Sequence, residues 1–162
     1  MRAIRFNHVS IQAVDMEESL RFYTEVFGME RLPSPEFEMP VEWLRLGEQQ
    51  LHLFLGETPA PQRHHIGLDV DDFEAVYTMA RDRGILDTKA FSPDVRELPD
   101  GSVQMYLRDP AGNLVEIDWP DVTTLDRSIV TDIQRIADER PQSEESMRST
   151  LYHARRDGVA SA

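Results

Sequence analysis

His64-His65-Ile66-Gly67-Leu68-Asp69-Val70-Asp71-Asp72 restates a pattern already present at His8-Val9-Ser10-Ile11-Gln12-Ala13-Val14-Asp15. Aligning His8 with His65 sets Val9, Ile11 and Ala13 on Ile66, Leu68 and Val70. Alternation with period two makes each stretch a short strand with one apolar face and a histidine on the other. Each then runs into a helix start. The chain reads as two copies of one unit, with a histidine at the same place in each.

The surrounding sequence follows the same order twice. After a first strand ending at Ala13, Asp15 and Glu18 form a capping box, and Leu20, Tyr23, Val26 and Phe27 make an apolar helical stripe that Gly28 ends. Strands follow over about Glu30 to Leu32, Val41 to Leu46 and Gln50 to Leu55, and Thr58-Pro59-Ala60-Pro61 is a linker. The second copy has a strand at His64 to Val70 and a helix opened by Asp71 or Asp72, with Val76, Met79 and Ala80 inward and Gly84 at its end. A weak strand is expected at about Asp87 to Phe91, a loop from Ser92 to Gly101, and strands at Val103 to Leu107 and Leu114 to Trp119 around the turn Asp109-Pro110-Ala111-Gly112-Asn113.

The expected modules are therefore residues 1–57 and 62–119, each β-α-β-β-β. One copy alone would leave a sheet face and strand edges open, so the copies pair to bury a core. The predicted class is α+β: two βαβββ repeats forming a cupped, eight-stranded mixed sheet with function in its concavity. Residues 120–162 belong to neither repeat. Leu125, Ile129, Ile133 and Ile136 follow helical spacing up to Pro141, and Ser143 caps a second short helix with Met147 and Leu151, which predicts a C-terminal helical extension on the domain, on a partner or as a lid. The end, from about Asp157, is expected to be disordered.

Strand phase selects the side chains that face the concavity: His8, Ser10 and Gln12 in the first strand, and His65, Gly67 and Asp69 in the fifth, with His64 turned away. Leu51-His52-Leu53 superimposes on Val115-Glu116-Ile117, so His52 and Glu116 are symmetry mates, as are His8 and His65. Four potential ligands would converge about one local twofold axis. Imidazoles with a carboxylate suit Fe, Mn, Co, Ni or Zn, and two histidines with one carboxylate leave positions open for a substrate. His52 is either a fourth ligand or an acid–base residue, and His153 is a bystander. Ser10, Trp43, Arg45, Gln104, Tyr106 and Arg108 fall on the substrate-facing phase. Trp43 and Tyr106 would wall an apolar or aromatic group, and an arginine would hold a carboxylate or phosphate; Arg108, just before the turn, is the one with the most plainly structural position.

Composition narrows the partners. A formal net charge of -13 argues against nucleic acid, whose phosphates require clustered Lys and Arg. No run approaches the ~18 apolar residues of a membrane span. The absence of cysteine removes disulfides, thiolate ligands and a cysteine nucleophile, and together with the lack of an apolar leader after Met1 it leads to the expectation of a cytoplasmic protein with a small-molecule substrate.

The strand with His8, the Ser19 to Glu30 helix and turn, Trp43-Leu44-Arg45-Leu46-Gly47, His65-Ile66-Gly67-Leu68-Asp69-Val70-Asp71-Asp72 and Leu107-Arg108-Asp109-Pro110-Ala111-Gly112-Asn113-Leu114-Val115-Glu116-Ile117 together resemble the vicinal oxygen chelate superfamily. That superfamily contains glyoxalase I, the fosfomycin- and bleomycin-resistance proteins, methylmalonyl-CoA epimerase and the extradiol dioxygenases. The resemblance covers about Ile4 to Trp119. It implies a cupped sheet around one divalent ion, with His8, His65 and Glu116 at ligand positions. His52 falls where glyoxalase I has a glutamate that is both ligand and proton shuttle and where the epimerase has a glutamine, a departure from a plain glyoxalase. A homodimer is the expected assembly.

The function expected is a divalent-metal-dependent, glyoxalase-like lyase or isomerase that chelates a vicinal-oxygen substrate, with His52, Glu116 and Tyr106 as the candidate catalytic groups. One alternative is an Fe(II) extradiol-type ring-cleaving dioxygenase. Another is an antibiotic-binding resistance protein without catalysis. The loops Pro33 to Pro40 and Ser92 to Gly101 would set specificity.

Overall fold

The computed structural model describes the chain except residues 1, 3, 4, 59, 92–94 and 153–162. His153 and the chain end beyond Asp157 therefore lie outside the described residues. The chain divides into two compact units, Met1–Ile66 with Arg108–Val115, and Gly67–Leu107 with Glu116–Ala162.

In the first unit, β1 (His8–Ala13) leads to Asp15, whose carboxylate accepts from Glu18 N at 2.9 Å and so satisfies one orphan donor of α1 (Met16–Arg21). The helix widens into a π turn over Phe22–Val26 and stops at Gly28, which takes φ 62°. Strands β2 (Glu30–Leu32), β3 (Val41–Leu46) and β4 (Gln49–Leu55) complete a four-stranded sheet in the order β1-β4-β3-β2. β1 pairs in parallel with β4, while β3 runs antiparallel to both β4 and β2. Leu20, Tyr23, Leu44, Leu51 and Leu53 form the core. The apolar face of β1 is covered only at its end: Ala13 is buried, but Val9 is 40% exposed, because β1 is an edge strand.

The turn Asp109 to Asn113 is tied into this unit. Asp109 Oδ1 accepts from Ala111 N and Asn113 N, and Asn113 Nδ2 donates to Asp109 Oδ2 at 2.8 Å and to Gln12 O at 2.7 Å. Tyr23 Oη donates to Asp109 at 2.9 Å from the core side. Burial, partly offset by these donors, raises the Asp109 carboxyl above its ordinary range.

The second sheet has the order β5-β8-β7-β6-β9: β5 (His65–Asp69), β8 (Leu114–Trp119), β7 (Val103–Arg108), β6 (Val95–Glu97) and β9 (Ile133–Arg135). Between β5 and β6, α2 (Phe73–Asp82) is capped by Asp72, which accepts from Ala75 N at 2.9 Å. Phe73, Tyr77, Val95, Val103, Met105, Leu107 and Ile117 pack as its core.

Two expectations are corrected. The sixth strand is not at Asp87 to Phe91; there the Asp87 carboxylate accepts from Lys89 N and Ala90 N, closing a turn, and the strand lies within the expected loop, where buried Val95 faces the core. The tail is also not a long helix. Among the described residues its helical pieces are single turns at Val122–Thr124, α3 (Ile136–Glu139) and Ser146–Arg148, and Ile133 lies instead in β9, parallel to β6. Pairing with the open β6 edge outweighs the helical spacing of the apolar residues. Ser143 does cap, accepting from Ser146 N at 3.1 Å, but only for one tight turn. Among the described residues no helix is long and apolar enough to cross a membrane.

Candidate metal and substrate site

In the first unit the alternating side chains of β1, β4 and β3 form one polar and aromatic face. Ser10 pairs across to His52, and His52 to Trp43. Their neighbours bring three rings into a stack: His8 lies 4.3 Å from His52 at an interplanar angle of 14°, and Trp43 lies 4.5 Å from the other side of His52 at 6°. His52 is buried, and Nε2 meets Gln50 Oε1 at 2.9 Å. Since the amide oxygen only accepts, His52 carries its proton on Nε2 and its lone pair on Nδ1. Burial, and secondarily the charge of His8, holds this imidazole below its ordinary pKa, so it is neutral.

His8 and His65 take the opposite tautomer. His8 Nδ1 meets Asn7 Oδ1 at 3.0 Å, and His65 Nδ1 meets the Arg63 carbonyl at 2.9 Å. In both, Nδ1 faces an oxygen that only accepts and so carries the proton, the hydrogen bonding usual for a histidine that coordinates through Nε2. Both histidines are exposed. Ser10 and His65 line the same cavity of about 700 Å³, with Val9, Ile11, Leu55 and His64 on its walls. Arg45 pairs with Glu30, and Arg108 donates to Gly112 O and Gln62 O, which ties it to the turn as its position suggested.

In the second unit Glu116 is buried and held by its neighbours. Gln104 Nε2 donates to Glu116 Oε1 at 2.9 Å, and the Tyr106 hydroxyl is hydrogen-bonded to the same carboxylate. Burial, then the hydrogen bond and charge of Glu116, raises Tyr106 far above the ordinary phenol range, so it remains protonated. Two residues further along β8, Asp118 shares this face and is also buried. Burial first, then the charge and hydrogen bond of Glu116, pushes it up to about 8. Gly67 leaves room for it, since a Cβ there would stand 3.2 Å from Asp118 Oδ2.

The predicted residues are thus gathered as two groups, His8 with His52 and Trp43, and Glu116 with Gln104 and Tyr106. Among the described residues no set of three or more His, Asp or Glu side chains is arranged to hold a metal ion. Among the described residues three buried polar atoms lack a hydrogen-bond partner: Trp43 Nε1 and Asp118 Oδ1 beside these groups, and Ser19 Oγ in α1 away from them. Sequence reasoning passed over Gln50 and Asp118. Both follow from the period-two rule, standing two residues from His52 and Glu116 on the same strand face.

A pair of β-α-β-β-β runs with corresponding histidines is the frame of the Glyoxalase/Bleomycin resistance protein/Dioxygenase superfamily, whose family model matches residues 5–117. The chain belongs to that superfamily. It is 31% identical over 124 residues to the uncharacterized protein YwbC of Bacillus subtilis, covering 70% of this chain and 96% of that one. It is 28% identical over 131 residues to the mitochondrial methylmalonyl-CoA epimerase of Homo sapiens, covering 70% and 73%. Among solved structures, a candidate glyoxalase family protein from Bacillus anthracis superimposes with a TM-score of 0.53 at 29% identity, covering 73% of this chain and 98% of that one.

Proposed function

We propose that the protein is a divalent-metal-dependent enzyme of lyase or isomerase type, acting on a small substrate with two neighbouring oxygens. The observation that carries this reading is the matched hydrogen bonding of His8 and His65, each of which sets Nδ1 against an oxygen. Imidazole donors with the Glu116 carboxylate fit Fe, Mn, Co, Ni or Zn, so His8, His65 and Glu116 would hold the ion. When bound, it would supply Lewis acidity to the substrate oxygens.

The rest of the chemistry falls to the chain. His52 is assigned the proton rather than a coordination position. In rings stacked 4.3 Å apart and nearly parallel, the in-plane lone pairs of His8 and His52 run side by side and do not meet on one ion. Its neutral Nδ1 would take a proton from a substrate carbon while Gln50 holds Nε2–H. Tyr106, which keeps its proton, orients Glu116 rather than acting as a base. Trp43 backs His52 and walls the substrate. Similarity to a methylmalonyl-CoA epimerase supports the isomerase arm, because inverting a carbon between two carbonyls requires removing and returning a proton.

Elemental analysis of untagged protein tests the reading. About one divalent ion per chain is expected, lost in His65→Ala and in Glu116→Ala. With the metal present, deuterium from D2O should enter methylmalonyl-CoA or a related acyl thioester. Protein that neither carries nor takes up Fe(II), Mn, Co, Ni or Zn would sink the proposal.

A further inference from the structure

The tail beyond residue 117 lies outside the family match, yet it returns to the face that carries Glu116. Strand phase fixes that face. Val95, Val103 and Met105 are turned into the core, so Arg96, which pairs with Gln104 across β6 and β7, stands on the opposite side. Gln104 reaches Glu116 on that same side. Arg96 Nη1 binds Glu139 of the tail at 3.1 Å, which lays the end of α3 at this face beside the β6–β9 edge. Thirteen residues on, Tyr152 Oη donates to Asp69 Oδ1 at 2.8 Å. Asp69 belongs to β5, the opposite edge of the sheet, and shares the phase of Gly67, beside which Asp118 sits.

A segment bound at β6 and again at β5 has the strands between them to pass, and its Thr150 meets Asp100 in the turn that follows β6. From β6 to β5 there are three gaps, roughly 14 Å at ~4.8 Å per gap, well within what thirteen residues reach at ~3.3 Å each. Glu116 and Asp118 are buried on this face, as a cover over it would make them, and Tyr106 is packed in addition against the Phe91 ring at 4.7 Å. The segment is held lightly. Its apolar members Met147 and Leu151 are about half exposed, and its ties include the Arg96–Glu139 pair, the Tyr152–Asp69 bond and a hydroxyl contact of Thr150 with Asp100. The base of the tail is anchored differently, through buried Leu125 and Val130. A firm root followed by a weakly tied span is the pattern of a segment that opens locally.

We propose that residues 139–152 form a strap across the Glu116 face of the second sheet, latched by Tyr152 on Asp69, and that its release controls access to Glu116 and the unpartnered Asp118 oxygen. This inference rests on reading that face as the working one. It gives the tail a task that the repeats alone do not have.

The chain contains no cysteine, so Asp69→Cys with Tyr152→Cys places the only two thiols at the latch. They can be joined by a bis-methanethiosulfonate spacer and separated by dithiothreitol, with circular dichroism confirming the same fold in both states. The readout is labelling of Glu116 and Asp118 by a water-soluble carbodiimide and an amine, followed by peptide mass spectrometry. Labelling about tenfold slower in the joined form than in the released form is expected, with Tyr152→Phe faster than the unmodified chain. Equal labelling in joined and released protein overturns the strap. Co(II) uptake measured beside it separates the two ideas: lock-dependent labelling in a protein that takes up no metal upholds the strap and defeats the metalloenzyme reading.

Discussion

His52 shows how one residue's neighbours decide between two roles that its position leaves open. As the symmetry mate of Glu116 it stands where a ligand would, but it is sandwiched between His8 and Trp43 with Nε2 bound to Gln50. A ring clamped on both faces is fixed in orientation, and a ring kept neutral by burial is a competent base at ordinary pH. The two roles separate in the variant His52→Gln. Its metal content should equal that of the unsubstituted protein, while turnover falls by about 10²–10⁴-fold, the usual share of a general base. His8→Ala should lose metal and turnover together. Equal loss of metal in both variants, by elemental analysis, would return His52 to the coordination shell.

At the scale of elements, most of what positions the site was legible because period-two alternation is a strong signal in half-buried strands. It placed His8, His65, His52 and Glu116 on their strands, and the Asp15 cap and the Gly28 stop followed from local chemistry alone. What could not be read depended on distant partners. β6 is only three residues long and is defined by the strands on either side of it, and β9 exists because β6 has a free edge. A lid was among the readings of the tail, but its latch was invisible for the same reason: nothing near Tyr152 in sequence announces Asp69. The turn at Asp109 to Asn113 is the opposite case, being local in sequence yet acting at long range. Asn113 Nδ2 is shared between Asp109 and the Gln12 carbonyl of β1, so Asn113→Ala removes two hydrogen bonds from a buried acceptor set. A loss of about 1–3 kcal/mol in urea unfolding is expected, larger than for an exposed asparagine. A loss below a few tenths would mean that the turn closes β7 onto β8 without fastening β1.

Taken whole, the molecule is a strongly acidic body, with 30 Asp and Glu against 17 Lys and Arg and a formal charge of -13. Such a field says little about fold but has a definite sign for whatever approaches. Divalent cations are drawn toward the chain and anions are held off. The screening length shortens from about 30 Å at 0.01 M salt to about 8 Å at 0.15 M, so both effects are strongest at low ionic strength. The rate at which metal-free protein takes up Co(II), followed by stopped-flow absorbance, should therefore fall by several-fold to about tenfold over that range. An anionic substrate such as an acyl-CoA should behave in reverse, with KM falling as salt is added, and a neutral substrate should be indifferent. The two slopes together distinguish an anionic from a neutral substrate before its structure is known. A cation rate that does not change with salt would mean that Arg45, Arg96 and Arg108 cancel the net field near the donors, and that the acidity of the chain serves its surface rather than its site.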